Sequence, residues 1–194
     1  MMPDCSPSRR PFCVMSNYEP LPVHDLQRLL WSHRRSTGHV NEVWPKLYLG
    51  DAFTAKDKSV LRQLGISHIV NAASGRYRIN TGPEFYRDLN IDFYGVEADD
   101  HPYFDLSAYF FPVAQFIQVG LQAPNGTVLV HCAMGISRAA SLVLAFLMIS
   151  EGMSLVDALR SVGEHRDICP NPGFLEQLRQ LDIKLEGKRR SRSK

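Results

Sequence analysis

The sequence predicts an α/β domain built on a mostly parallel central sheet flanked by helices. Two observations predict it. Short apolar runs at 66–73, 91–98 and 127–132 alternate with stretches of helical periodicity. Runs of this kind, separated by helices, belong to a sheet covered on both faces. The 194 residues are 44% hydrophobic and carry 22 basic against 20 acidic side chains, a net charge of +2. That composition suits one soluble core with polar ends.

The elements follow in order. Residues 1–22 are proline-rich and polar and are expected to form a disordered N-terminal arm. His24 to Arg35 places Leu26, Leu29 and Leu30 on one face of a short helix. VWPKLYLG (43–50) is expected to be a strand pair or an edge strand, with Pro45 near its start. Asp57 to Leu64 is a helix closed by Gly65. ISHIVNAA (66–73) and IDFYGVEA (91–98) are strands. Asp105 caps a long helix over 106–122, with Pro112 tolerated in its first turns. Asn125-Gly126 turns the chain into the strand TVLVHC (127–132). A helix over 137–150 follows, then one over 154–165 capped by Ser154. Asn171-Pro172 opens a last helix. The core domain is thus expected over 23–187, with KRRSRSK (188–194) as a basic tail.

The longest apolar run, Leu142 to Ile149, is far short of the roughly 20 residues that span a bilayer. No membrane association is expected. The N-terminal residues show no apolar signal region. The expected location is the cytoplasm, with the basic tail as a feature suited to nuclear entry or acidic partners. Cys5, Cys13, Cys132 and Cys169 form no C-x-x-C pair and no zinc pattern, so thiols are expected and no metal site. Cys169, beside Pro170, is expected to be buried.

The chemistry concentrates at HCAMGISR (131–138), between a buried strand and a buried helix. Gly135 can take the positive φ that a tight loop needs. Successive amides of Ala133, Met134, Gly135, Ile136, Ser137 and Arg138 can converge into an anion nest closed by the helix N-terminus. The Arg138 fork can grip two oxygens of a tetrahedral dianion. Cys132 lies at the base of this cradle, where a thiolate is favoured and nucleophilic. An oxyanion receptor around a nucleophile suits phosphoryl transfer from an ester to sulfur. The leaving oxygen needs a proton, and Asp99 and Asp100 are the candidate acids.

HCAMGISR is similar to the HCxxGxSR signature of the dual-specificity protein phosphatases, in particular the small atypical members of the VH1-related group. The resemblance runs from EVWPKLYLGD (42–51) through VNAA (70–73), YGVEADD (94–100) and FDLSAYF (104–110) to ICPNPGF (168–174). It implies the cysteine-based protein phosphatase fold and hydrolysis of phosphotyrosine and phosphoserine or phosphothreonine through a phosphocysteine, with no cofactor. The family's A-x-D pattern falls on Asp100. Catalytic roles are thereby implied for Cys132, Arg138 and Asp100. His131 is expected to orient the loop by hydrogen bonding, Ser137 to brace it or cap the helix, and Asn71 to brace the phosphate loop. Asn171 is expected to cap the last helix. The implied partners are phosphoproteins, protein kinases among them.

Two features bear on activity and specificity. The family usually places Ser or Thr after the arginine, as a donor to the cysteine sulfur; here Ala139 stands there. A slow enzyme, or a low-turnover phosphoprotein-binding scaffold, follows as an alternative. The segment 74–88 brings Arg76, Tyr77, Arg78, Tyr86 and Arg87 together, either as a basic, aromatic rim to the pocket or as a solvated loop. A low-molecular-weight tyrosine phosphatase has the opposite order of loop and acid. An RNA 5′-phosphatase needs a larger basic surface than a net charge of +2 provides, so no nucleic-acid partner is expected. The sequence carries no reading of oligomeric state.

Overall fold

The computed structural model describes residues 18–31, 38–76 and 78–192, with 188–192 described as helix backbone. Residues 1–17 of the arm expected over 1–22, with Cys5 and Cys13, and residues 32–37, Tyr77 and the tail's last two residues lie outside the described residues. The predicted class is the one observed. Five strands form one sheet among the described residues, in the order β1-β2-β5-β3-β4: Val40–Trp44 (β1), Leu47–Gly50 (β2), His68–Asn71 (β3), Asp92–Gly95 (β4) and Val128–His131 (β5). β5 pairs in parallel with both β2 and β3, and β3 with β4, while β1 and β2 form an antiparallel pair. The segment 43–50 is therefore a strand pair, turning at Pro45 and at Lys46, whose φ is 62°.

The helices are Val23–Trp31 (α1), Ala52–Lys56 (α2), Lys58–Gln63 (α3), Pro83–Tyr86 (α4), Phe110–Gln122 (α5), Arg138–Ser150 (α6), Leu155–Gly163 (α7) and Pro172–Arg192 (α8). Strand side chains alternate between the sheet's two faces. Val70, Val128 and Val130 accordingly join the large cluster with Val113, Ile117 and the residues of α6. Ile69 and Leu129 join Leu61, Ile66 and Tyr86 on the opposite face. Helix α6 is buried at every position from Ala139 to Met148, as the apolar run from Leu142 onward requires, and the one polar residue in that stretch, Ser141, spends its hydroxyl on Ser137 O.

Several details depart from the expectations. Asp105 accepts from the Ser107 amide (3.0 Å) and hydroxyl (2.6 Å) ahead of a short 3₁₀ turn, Ser107–Tyr109, and neither that turn nor α5 after it has a side-chain cap. Ser154 caps α7 as expected, accepting from the Asp157 amide. α8 runs through the basic stretch to Arg192. Tyr18 donates to Asp182 (2.6 Å), and the Arg179 guanidinium donates to the carbonyls of Pro20 and Leu21, so 18–22 lie against α8.

Candidate active site

β5 delivers Cys132 from the centre of the sheet, and α6 begins at Arg138. The peptide units between them have their carbonyls fixed outward. Ala133 O accepts from the Ala52 amide (3.1 Å) and Ile136 O from the Cys169 amide (2.9 Å). Ser137 O accepts from the Ser141 amide (2.8 Å) and hydroxyl (2.9 Å). Met134 O and Gly135 O accept from Arg166 at 2.8 and 2.9 Å. In a planar trans peptide the next residue's N–H points opposite to the carbonyl. The amides of Met134, Gly135, Ile136, Ser137 and Arg138 are thereby turned toward the loop's interior, as the nest requires. The Gly135 amide donates to Cys132 Sγ at 3.2 Å. Gly135 has φ 69°, and a Cβ there would stand 2.3 Å from Gly50 O. Only glycine fits that approach.

Sequence reasoning did not single out Arg166. It lies just past α7 and is 2% exposed. Besides its two loop contacts it donates to Gly38 O (2.9 Å) and Asn41 Oδ1 (2.7 Å). Burial lowers its pKa, an effect opposed by the charges of Asp51 and Cys132. The only signal in the sequence is an arginine among the short segment EHRDICP, which pattern alone does not assign. Asp51 fixes the other side of the loop by capping α2 through the Thr54 amide (2.9 Å) and bonding His39 Nδ1 (2.5 Å). Burial pushes the Asp51 carboxyl up, but its bonds to His39 and to amides outweigh this and hold it low.

The acid candidates separate cleanly. Asp99 pairs with Arg78 at the surface. Asp100 turns to the loop: its Oδ1 accepts from Ser137 Oγ (2.7 Å) and Asn171 Nδ2 (3.0 Å). Its Oδ2 lies 3.6 Å from Arg138 Nε, and Arg138 Nη1 donates to Ala98 O (3.1 Å). Asp100, Arg138 and the cysteine loop are thus brought together.

Other expectations need correction. His131 is fully buried; neither ring nitrogen makes a hydrogen bond of ordinary geometry among the described residues, and the Cys132 backbone lies close enough to raise its pKa. Burial pushes its pKa down to about 4, and the nearby Cys132 backbone and Asp51 charge offset only part of that. Asn71 braces a different loop, since its Oδ1 accepts from the Ala73 amide while Nδ2 donates to Ile79 O and Thr81 Oγ1. Ser137 makes no side-chain cap on α6 because its hydroxyl is committed to Asp100. Asn171 caps α8 through the Phe174 amide (3.0 Å), as expected, and holds Asp100 as well. Cys169 is exposed. Tyr86 is buried, its hydroxyl donating to Ala55 O, because it fills the sheet's second face and not a pocket rim. Arg87 pairs with Glu84 in solvent. Among the described residues no group of three or more His, Cys, Asp or Glu side chains could hold a metal ion, and no helix is long and apolar enough to cross a membrane.

Residues 47–184 match the family model "Dual specificity phosphatase, catalytic domain". The chain belongs to the dual-specificity phosphatases. It is similar to human dual specificity protein phosphatase 13B, with 58% identity over 171 residues, covering 88% of this chain and 86% of that protein. Its fold is similar to the crystal structure of human DUSP28, with a TM-score of 0.68 and 28% identity over 78% of this chain and 97% of the other. A mouse putative dual specificity phosphatase complexed with zinc tungstate gives a TM-score of 0.69 at 29% identity, over 80% of this chain and 93% of the other. The sequence resemblance is borne out to the small atypical members of the family. This dual-specificity phosphatase is therefore an enzyme whose substrates are phosphoproteins, and the family favours turnover over the scaffold alternative.

Proposed function

We propose that this dual-specificity phosphatase works by two in-line transfers at Cys132. The Cys132 thiolate attacks phosphorus as the ester P–O bond breaks. Asp100 gives its proton to the leaving oxygen. Water then attacks the phosphocysteine, Asp100 takes a proton from it, and the P–S bond breaks to release phosphate and thiolate. Arg138 and the amides of the loop hold the equatorial oxygens through both steps, an electrostatic role that costs no reorganisation during reaction. The observation that carries this reading is the set of outward carbonyls at 133–137, which turns the amides into the loop, with the Gly135 amide donating to the cysteine sulfur. The bonding of Asp100 to the same loop favours it as the acid over Asp99, which is spent on Arg78.

The substrate range proposed is phosphotyrosine together with phosphoserine and phosphothreonine in proteins, protein kinases among them. Cytoplasm is the proposed location, with entry to the nucleus aided by the basic end of α8. Phosphate release from matched phosphotyrosine and phosphothreonine peptides tests the range, with Cys132→Ser as control. Release from both is expected, and none from the variant. Asp100→Asn should cost about 10²–10⁴-fold on the phosphothreonine peptide. Release from one peptide class alone would overturn the dual range.

A further inference from the structure

The start of α8 is bonded to the loop that carries the acid at several independent points. Asn171 Nδ2 donates to Asp100 Oδ1 at 3.0 Å. The Asn171 amide donates to Ser137 Oγ (3.2 Å), and that hydroxyl donates onward to the same Oδ1 at 2.7 Å. Two residues along, Gly173 lies so close to Pro102 that a Cβ there would stand 1.9 Å from the Pro102 carbonyl oxygen. One turn further, Gln177 Oε1 accepts from the amides of Leu106 (2.8 Å) and Ser107 (2.9 Å), and its Nε2 donates to Phe104 O (2.8 Å). The loop from Asp100 to Ser107 is therefore held by α8 at its beginning, middle and end.

We propose that Asn171 is a positioning residue for the general acid, and that with Ser137 it fixes which carboxyl oxygen carries the proton. This rests on the reading of Asp100 as the acid. A protonated carboxyl has one O–H and one carbonyl oxygen. Oδ1 already accepts two donors, so it takes the carbonyl role. The transferable proton is left to Oδ2, the oxygen nearer Arg138. Asn171 does this while its own Oδ1 caps α8, so one side chain couples the helix start to the acid.

The charged neighbours of Asp100 are few among the described residues. Arg138 faces it from α6, and Cys132 lies on the same loop. Asp99, paired with Arg78, and Glu97 and His101 share its own segment. On α8 the nearest carboxylate, Glu176, is paired with Arg179 at 2.7 Å. A new charge at 171 would therefore act on Asp100 directly.

The test uses two variants that keep the helix cap. Asn171→Ser retains a capping oxygen but is too short to reach Asp100. Asn171→Asp retains the cap and puts a carboxylate where the amide donor stood. For each, kcat/KM is followed against pH with a phosphothreonine peptide and with an aryl phosphate whose leaving group needs little protonation. Asn171→Ser should lose about 10-fold on the peptide and under about 2-fold on the aryl phosphate, the cost of one hydrogen bond to a charged group felt only where the acid matters. It should add little further loss in an Asp100→Asn background. In Asn171→Asp, like-charge repulsion should raise the Asp100 pKa, moving the alkaline limb of the profile to higher pH by about one unit or more. Equal loss on both substrates, additivity with Asp100→Asn, or an unmoved alkaline limb in Asn171→Asp would overturn the proposal. If Asp100→Asn itself shows no dependence on leaving group, the reading of Asp100 falls and the proposal with it. If Asp100→Asn behaves as expected and the Asn171 variants do not, the proposal alone falls.

Discussion

Ala139→Ser should speed the enzyme at one step and leave the other nearly untouched. Ala139 is fully buried in the first turn of α6 and shares a cluster with Cys132. The Gly135 amide donates to the cysteine sulfur, but the alanine supplies no hydroxyl beside it. Ser141, the nearest hydroxyl along the helix, donates to Ser137 O at 2.9 Å and is thereby committed. A hydrogen bond to a charged group contributes about 1.5–3 kcal/mol, which corresponds to roughly 10- to 100-fold in rate. Formation of the phosphocysteine draws on Arg138, Asp100 and the amides, all present. Its breakdown expels thiolate, the species that the absent donor would have stabilised. The first turnover should then be fast and later ones slow. Rapid mixing with an aryl phosphate should release a burst of phenol near one equivalent per active site. Ala139→Ser should raise the steady rate by about 10-fold or more and shrink the burst. The new hydroxyl must bond the sulfur to do this. If it stays unpaired, the variant loses about 1–3 kcal/mol of stability and the thermal midpoint falls with no kinetic gain. No burst in the parent, together with an unchanged steady rate in the variant, would show that the missing hydroxyl does not limit breakdown of the phosphocysteine.

Three other perturbations have definite outcomes. Arg166→Lys replaces a guanidinium making four hydrogen bonds with one ammonium; it should lose about 2–4 kcal/mol in urea unfolding and at least about 10-fold in kcat/KM, and wild-type values for both would remove Arg166 from its role. Gly173→Ala drives a methyl group against the Pro102 carbonyl, so the acid loop must shift and the loss should be larger on phosphothreonine peptide than on aryl phosphate; equal losses would show that the shift does not reach Asp100. Burial holds the His131 pKa at about 4 against an ordinary 6.5, so the unfolded chain binds its proton first as pH falls. The stability that His131 contributes is complete above about pH 6.5 and is lost as pH falls through about 4, amounting to roughly 3 kcal/mol. Urea midpoints between pH 7 and 4 in the parent and in His131→Asn should show that dependence in the parent and a flatter one in the variant.

What the sequence made legible was mostly local. TVLVHC followed by a glycine loop and an unbroken apolar helix is a strand–nest–helix unit, because each part declares itself within a few residues. The alternation of Val128, Leu129 and Val130 between two clusters likewise follows from strand geometry. Helices α2 and α4 were not read, since neither is long enough to show a helical period. The partners of the loop were hidden for a different reason. Arg166 lies far along the chain from the carbonyls it holds, and nothing in its neighbours marks it. Asn171 was legible as a cap from the Asn-Pro pair, but its second bond depends on where the loop of Asp100 returns. Asn71 and His131 carried polar side chains at strand ends beside the site, and the fold spends one on the 73–81 loop and buries the other against the Cys132 backbone. Arg78 and Tyr86 read alike in sequence, as residues of a pocket rim or of a solvated loop. The fold ties one to Asp99 and uses the other to fill the second core.

In the proposed mechanism, phosphate passes through a covalent bond to Cys132. Acid quenching within the first turnover on a phosphotyrosine peptide, followed by proteolysis and mass spectrometry, measures this directly. The peptide holding Cys132 should carry one added phosphate, which appears with the burst and is absent from Cys132→Ser. Turnover at full rate with no phosphate trapped on that peptide, or phosphate release by Cys132→Ser at a comparable rate, would contradict the claim.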